Sequence, residues 1–144
     1  MLVERNYLPV IRELSGRGFK VNATCGFSTS QLELAAQAGA RFISLFYNRL
    51  IDYYNGLPNS RGDGRELALR DLRDTRSYLD NNSLGSEIIL GSIRKSYDVT
   101  EGWKNGAYIV TAGYKVMPGM VYHPGTDASV KGFDDDMKAW FGQE

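Results

Sequence analysis

Two arginines in this sequence stand where a predicted strand gives way to a loop. Arg49 follows the apolar run RFISLF, and Arg94 ends the run EIILGSIR, with Ser92 two residues before it. The planar guanidinium fork of arginine presents paired N–H donors that fit two phosphate oxygens, and a serine hydroxyl can add another donor. Either arginine alone is better explained by a loop ion pair or a strand-end cap. The two together, with matching serines, predict a phosphate-binding pocket.

Further polar residues lie on strand faces that should point inward. Alternation along the first strand places Asn22 and Thr24 on one face, and Ser44 lies near the C-terminal end of the second strand. In a closed parallel barrel, alternate residues point inward and catalytic groups collect at the C-terminal ends of the strands. We therefore expect three strands to direct polar groups toward the same mouth.

The elements that must hold these residues alternate between helix and strand. Gly39 and Gly106 each end a helix and lead directly into a strand, as helix-stop glycines do. Such short αβ units predict one α/β domain (1–144) with about four parallel strands and flanking helices. Predicted strands cover 19–25, 41–46, 87–94 and 107–113; predicted helices cover about 6–14, 65–79 and 126–141, with others opening at Ser28 and Val99; and 53–64 forms a long loop.

Composition limits the possible partners and location. The 17 basic and 17 acidic side chains balance, so no overall field favours nucleic acid or an anionic membrane. No apolar run is long enough for a membrane span, and the N-terminus lacks the apolar core of a signal peptide. We expect a cytoplasmic protein with no nucleic-acid or membrane partner. At 144 residues, the chain is also too short for a complete eight-stranded barrel of typical size.

Other reactive side chains have structural explanations. Cys25 alternates toward the helix layer, so a buried, inert thiol is expected. His123 precedes Pro124 in a turn and is expected to cap the last helix. The consecutive residues Asp134, Asp135 and Asp136 point in different directions on a helix, which favours a solvated face over a metal site.

Several motifs together resemble one known family. Members of the transaldolase and fructose-6-phosphate aldolase family carry Asn-x-Thr-x-x-Phe-Ser, a helix opened by Gln, Ala-Gly-Ala and Ser-x-Phe-x-x-Arg in this order, which matches NATCGFSTSQLELAAQAGARFISLFYNR here. GSIRKSYDV, NGAYIVT and HPGTD match later pieces. The resemblance implies a TIM (β/α)8 barrel, of which this chain would be the C-terminal half. Cys25-Gly26 departs from the family, which usually has bulky aliphatic residues there.

The resemblance also implies a reaction and a role for each candidate residue. Family members of the pentose phosphate pathway transfer a dihydroxyacetone unit between sugar phosphates through a lysine Schiff base, without a metal or organic cofactor; the protonated imine accepts the developing carbanion charge. By this resemblance, Asn22 and Thr24 would line the carbonyl and carbinolamine site, and Thr24 would help position the catalytic water. Ser44 would contact the substrate. The sugar phosphate would be held by Arg49, Ser92 and Arg94.

The same resemblance raises a question about the Schiff-base lysine. Its spacing from Asn22 in the family would place it immediately before Met1, and Lys20, Lys95 and Lys115 do not match its position. We therefore expect this chain to be inactive alone. The alternative is a non-catalytic phosphosugar-binding or assembly half-barrel. Either would expose two sheet edges, so we expect it to associate with further copies of itself or with a missing N-terminal barrel half.

Overall fold

The computed structural model describes residues 7–58 and 62–142. Helices and strands alternate as far as the last strand, except that two helices follow the second strand, and three helical segments follow the last strand. In order they are α1 (Leu8–Gly16), β1 (Asn22–Gly26), α2 (Thr29–Gln37), β2 (Phe42–Phe46), α3 (Tyr47–Asn55), α4 (Gly64–Asn81), β3 (Glu87–Ile93), α5 (Ser96–Lys104), β4 (Ile109–Ala112), a 3₁₀ turn (Tyr114–Val116), α6 (Pro118–Val121) and α7 (Pro124–Phe141).

The strands in the described residues form one parallel sheet. Their order is β1-β2-β3-β4, and all three neighbouring pairs run parallel. The C-terminal ends of the strands therefore lie at the same end of the sheet, where the loops and helices that follow β2 and β3 meet. The prediction of a four-stranded parallel α/β fold with flanking helices is confirmed, and β1 and β4 are the edge strands.

The hydrophobic core lies between one face of the sheet and the helices. Ile43, Leu45, Ile88 and Leu90 alternate along β2 and β3 and are completely buried. Gly102 on α5 lies so close to Leu90 that an added Cβ would come within 2.6 Å of the leucine Cδ2. The helices contribute buried side chains that include Leu32, Ala35, Leu50, Leu72, Leu79 and Val99. Asn22 and Ser44 lie on the opposite face of the sheet, since they alternate with the buried strand residues and contact each other.

Helix α3 corrects the predicted loop after β2. The residues assigned to a loop from 53 onward begin inside this helix, and Arg49 lies in its first turn rather than in an exit loop. Tyr47, Leu50, Ile51 and Tyr54 recur at helical spacing and pack on or into the core. That spacing was visible in the sequence, but the polar residues between these positions obscured it.

Strict strand alternation fails at two positions. Cys25 and Ser92 have φ values of 66° and 62°, in the left-handed region, and the strand pairing shifts register around each of them. An irregularity of this kind rotates the residues that follow it relative to the regular pleat. Cys25 is consequently exposed, so the prediction of a buried thiol is wrong. Ser92 and Arg94 are two residues apart and would share one face of a regular strand, but the left-handed Ser92 breaks this alternation.

A long exposed helix, α7, occupies the last part of the described residues. Helix α7 begins at Pro124, slightly before the predicted start, and every residue from 124 to 141 is exposed. Its exposed side chains include Val130, Phe133, Met137 and Trp140. Among the described helices, none is long and apolar enough to cross a membrane. His123 caps this helix by accepting a hydrogen bond from the Gly125 amide at Nδ1, 3.1 Å away, as predicted.

Candidate functional site

Asn22 and Ser44 meet on the polar face of the sheet. Ser44 Oγ donates a hydrogen bond to Asn22 Oδ1 over 2.8 Å, joining β1 to β2. Ser44 is buried, whereas Asn22 and Thr24 are exposed. Asn22 opens β1 and pairs with Phe42, so this contact lies toward the start of β1 rather than at its C-terminal end. The pair forms a polar patch that is open to a ligand from the side of Asn22.

Arg94 directly follows β3 and is held by Asp52 of α3. The two guanidinium nitrogens Nη1 and Nη2 donate to the two carboxylate oxygens over 2.9 and 2.5 Å, a bidentate ion pair. Both side chains are about half exposed. The hydrogen bond from Arg94 lowers the pKa of Asp52, and the same bond raises the pKa of Arg94. The fork is thus presented at the surface in a fixed orientation and already binds one pair of anionic oxygens.

Arg49 lies on α3, the helix that also carries Asp52, the ion-pair partner of Arg94. The guanidinium carbon of Arg49 is 5.1 Å from the centroid of the Phe46 ring, a cation–π contact at the C-terminal end of β2. Arg49 and Asp52 are three residues apart on α3, so they are neighbours on its surface. The ion pair from Asp52 therefore brings Arg94 to the part of α3 that carries Arg49. Arg49 itself is exposed.

The backbone at Ser92 departs from the regular strand immediately before Arg94. Ser92 is half-buried, and its left-handed φ coincides with the shift in pairing between β3 and β4. Such irregularities re-aim the side chains that follow them and are frequent next to active sites. The structure thus places Ser92, Arg94 and Arg49 around the C-terminal ends of β2 and β3.

A buried ionic network centred on Asp98 contacts the residues next to Arg49 and Arg94. Asp98, in the first turn of α5, is completely buried, and its Oδ2 accepts from Asn48 Nδ2 at 2.9 Å and from the Lys95 amide at 3.2 Å. Its Oδ1 accepts from Arg65 Nη2 at 2.7 Å. Burial by itself would raise the pKa of Asp98, but the hydrogen bonds from Asn48 and Arg65 outweigh it and lower the pKa. Asp98 is therefore an ionised carboxylate satisfied by three donors.

Arg65 extends this network to two tyrosines. Its Nη1 donates to the Tyr47 hydroxyl at 3.2 Å and its Nη2 to the Tyr97 hydroxyl at 2.9 Å, and the guanidinium carbon lies 4.5 Å from the centroid of the Tyr97 ring. Burial of Tyr47 raises the pKa of its hydroxyl to about 12. Burial would lower the pKa of Arg65, but the hydrogen bond with Asp98 and the nearby charges raise it. Arg65 therefore stays charged and Tyr47 stays neutral at physiological pH.

Sequence reasoning missed this network. The predicted helix after β3 began at Val99, one residue too late to include Asp98, whereas the helix begins at Ser96. Acidic residues are common in the first turn of a helix, so Asp98 could have indicated the true start. The contacts with Asn48 and Arg65 depend on how α3, α4 and α5 meet, so they carried no local signal.

Within the described residues, no cluster of three or more His, Cys, Asp or Glu side chains is arranged to hold a metal ion. The charged groups near the C-terminal ends of β2 and β3 are chiefly cationic, and the carboxylates among them are engaged. Asp52 and Asp98 each bind an arginine, Arg94 and Arg65 respectively. The arrangement suits an anion with several oxygens, since guanidinium forks can bind such a group bidentately.

Comparison with known proteins gives matches over nearly the whole chain. The sequence model described as transaldolase/fructose-6-phosphate aldolase matches residues 4–144. A probable transaldolase of Thermoanaerobacter sp. strain X514 is 37% identical over 131 residues, which cover 91% of this chain and 56% of that protein. Those of Chlorobium phaeobacteroides and Symbiobacterium thermophilum are 39% and 38% identical, over 92% and 94% of this chain and 54% and 58% of their own lengths. The chain spans about half the length of the curated relatives it matches.

Proposed function

Because this chain belongs to the transaldolase/fructose-6-phosphate aldolase family, we propose that it supplies the phosphate-binding part of a site that transfers a dihydroxyacetone unit between sugar phosphates. The family has a TIM barrel, and the four parallel strands with their helices are consistent with part of one. The observation that carries the proposal is the ion pair that holds Arg94 against α3, the helix that also bears Arg49. Two arginines on neighbouring elements can then contact one phosphate.

In this proposal Arg49, Ser92 and Arg94 hold the phosphate. When a phosphate reaches Arg94, the guanidinium group releases Asp52 and donates its hydrogen bonds to the phosphate oxygens instead. The phosphate carries more negative charge than the carboxylate that it replaces. This exchange is favourable because Asp52 is half exposed and its carboxylate can be solvated after release. Arg49 is anchored by Phe46 and adds a second cation to the same group.

The polar patch on the sheet would receive the sugar end of the substrate. Ser44 is buried and fixes the side chain of Asn22 through its hydrogen bond, which leaves the Asn22 amide group to donate to a substrate oxygen. Thr24, exposed on the same strand, is proposed to orient the water that hydrolyses the carbinolamine. In the imine chemistry of this family, an amine forms a protonated imine that accepts the electrons of the broken carbon–carbon bond.

We propose that none of the lysines named above forms this imine. Lys20 precedes β1 and so lies at the end of the sheet opposite Arg94. Lys95 is exposed after β3, with its Nζ 5.5 Å from the centroid of the Tyr97 ring, and Lys115 is exposed in the 3₁₀ turn. Neither lies on a strand beside Asn22. The lysine would come from a part of the barrel outside this chain.

The partners and the cellular location of the protein are considered next. The edge strands β1 and β4 present backbone groups that another strand could pair with, so we propose that a second copy or the remaining barrel strands cover them. Light scattering tests association of the chain, and a stable monomer at micromolar concentration would contradict self-association. The cytoplasmic location expected from the sequence stays a prediction.

Binding of fructose 6-phosphate, followed by titration calorimetry, tests the phosphate site. Loss of one charge-assisted contact is worth about 1.5–3 kcal/mol, so Arg49→Ala and Arg94→Ala should each weaken binding about 10- to 100-fold. Arg17→Ala is the matched control, because Arg17 is exposed, pairs with Glu13 and follows α1, away from the site. Unchanged affinity in both site variants would reject the pocket.

Borohydride reduction in the presence of fructose 6-phosphate tests the imine assignment. A covalent adduct requires a competent lysine, so this chain alone is expected to give none. An adduct on Lys95 or Lys115 would show that the assignment of the imine is wrong. Binding without an adduct is also what the alternative, a non-catalytic phosphosugar-binding half-barrel, predicts. Adduct formation after addition of the N-terminal half of a relative would favour the enzyme.

A further inference from the structure

Asp98 joins the two segments that carry the arginines of the proposed phosphate site. Its Oδ2 accepts from Asn48, the residue before Arg49, and from the amide of Lys95, the residue after Arg94. Consecutive Cα atoms are about 3.8 Å apart. A contact that fixes Asn48 and Lys95 therefore also restrains the adjacent backbone from which each arginine side chain extends. One carboxylate oxygen thus links the two segments that carry the arginines.

Helix capping alone does not account for this arrangement. A carboxylate at this position needs only the Lys95 amide to complete the N-terminus of α5. Asp98 additionally recruits Asn48 from α3 and Arg65 from α4, although its side chain is completely buried. Burying a carboxylate is costly unless it is fully paired, and the two extra donors make this site a junction of three helices.

The junction matters most when a phosphate is bound. A second link between the two segments is the pair of Asp52 with Arg94, which is half exposed and uses the same fork that a phosphate would use. A phosphate that displaces Asp52 removes that link. The buried contacts of Asp98 do not involve either arginine side chain, so they persist while the phosphate is bound.

We propose that Asp98 is a positioning residue that keeps Arg49 and Arg94 at the separation needed to grip one phosphate. It acts through Asn48 and Lys95 and does not touch the substrate. This inference rests on the proposed function of the two arginines. The lowered pKa of Asp98 agrees with it, because the carboxylate remains charged and able to accept from all three donors at neutral pH.

The substitution Asp98→Asn changes this junction with almost no change in volume. An amide has one oxygen and an NH₂ group that only donates, so at least one incoming donor would meet another donor. The arginine segments should then separate or rotate. Asn48→Ala is a second, milder variant, because it removes only the contact with α3 and leaves both the α5 cap and the Arg65 pair in place.

The test is the effect of Arg94→Ala on fructose 6-phosphate affinity in different backgrounds. In the unmodified chain this substitution should weaken binding about tenfold or more, the loss of a charge-assisted contact. With Asp98→Asn or Asn48→Ala already present, its further effect should fall below about threefold, because the two arginines no longer share the phosphate. Circular dichroism shows which variants are folded at the assay temperature.

Thr75→Ala provides the control for simple destabilisation. Thr75 is fully buried on α4, and its Oγ1 donates to the Asp71 carbonyl at 2.8 Å within that helix. This variant should be less stable but retain the full effect of Arg94→Ala, because loss of folded protein scales all affinities alike. If Asp98→Asn and Asn48→Ala also retain the full effect, the positioning role is wrong although the phosphate site stands. If Arg94→Ala has no effect even in the unmodified chain, the assignment of Arg94 to the phosphate site is wrong, and the positioning proposal fails with it.

Discussion

Substitution of Gly26 by alanine should strain the end of β1. An added Cβ would lie 2.5 Å from Leu32 Cδ2 and 3.0 Å from the carbonyl oxygen of Ser44. The leucine end can move, but it is almost fully buried in a packed core, and the carbonyl belongs to the neighbouring strand. Overpacking of this kind costs about 1–3 kcal/mol, which is the loss in unfolding free energy that we expect for Gly26→Ala.

The same geometry predicts that Leu32→Ala partly relieves the strain. Alone, it should destabilise the fold by about 2–5 kcal/mol through loss of a buried side chain. Combined with Gly26→Ala, it removes the closer of the two contacts, and the new methyl occupies some of the vacated space. The double variant should therefore lose about 1–2 kcal/mol less than the sum of the single losses, within the range of coupling seen for touching residues. The contact with the Ser44 carbonyl remains, so relief is incomplete.

Urea unfolding monitored by circular dichroism measures these free energies. Gly16→Ala is the matched control, because an added Cβ there meets nothing within 4 Å, and it should leave stability unchanged or slightly raised. Additivity of Gly26→Ala and Leu32→Ala to within about 0.5 kcal/mol would refute the steric explanation. Confirmed coupling would explain how this chain accepts glycine where the family resemblance leads one to expect a bulky aliphatic residue: Leu32 occupies the space.

Three shorter predictions concern ionisable side chains and their effect on stability. Burial raises the pKa of both Tyr47 and Tyr54 to about 12, so two tyrosines should resist titration followed by tyrosinate absorbance until well above pH 10, and stability should fall as pH rises from about 10 to 12. Asp98 has a lowered pKa, so its contribution is present above the ordinary value of 3.8 and lost at lower pH; the stability deficit of Asp98→Asn should therefore shrink as unfolding is measured in progressively stronger acid. Asp52→Ala removes a half-exposed ion pair and should leave the unfolding midpoint almost unchanged; a large drop would show that Arg94 is structural.

The sequence was sufficient for the main features of the fold. The alternation of RFISLF and EIILGSIR with helical stretches gave parallel strands, and the glycine stops were correct: Gly39 and Gly106 have φ values of 98° and 104° and lead into β2 and β4. These signals are local, because a left-handed glycine and an apolar strand each follow from a few neighbouring residues.

The details of the site were less accessible from sequence. The alternation rule assumes a regular pleat, and the left-handed residues Cys25 and Ser92 break it at the ends of β1 and β3. Neither residue is a glycine, so the residue types did not indicate a break in the strand alternation. The contact of Arg94 with Asp52 joins positions 42 residues apart and was equally invisible. Sequence could nominate the arginines, but only the packing of α3 against β3 shows what holds them together.

The most direct test of the central claim is the position of a bound phosphate. A crystal structure of this chain with fructose 6-phosphate should show the phosphate oxygens within about 3 Å of both the Arg49 and Arg94 guanidinium groups, with the Ser92 hydroxyl close by. The sugar should extend toward Asn22 and Ser44. A phosphate bound elsewhere while Arg94 remains paired with Asp52 would contradict the account.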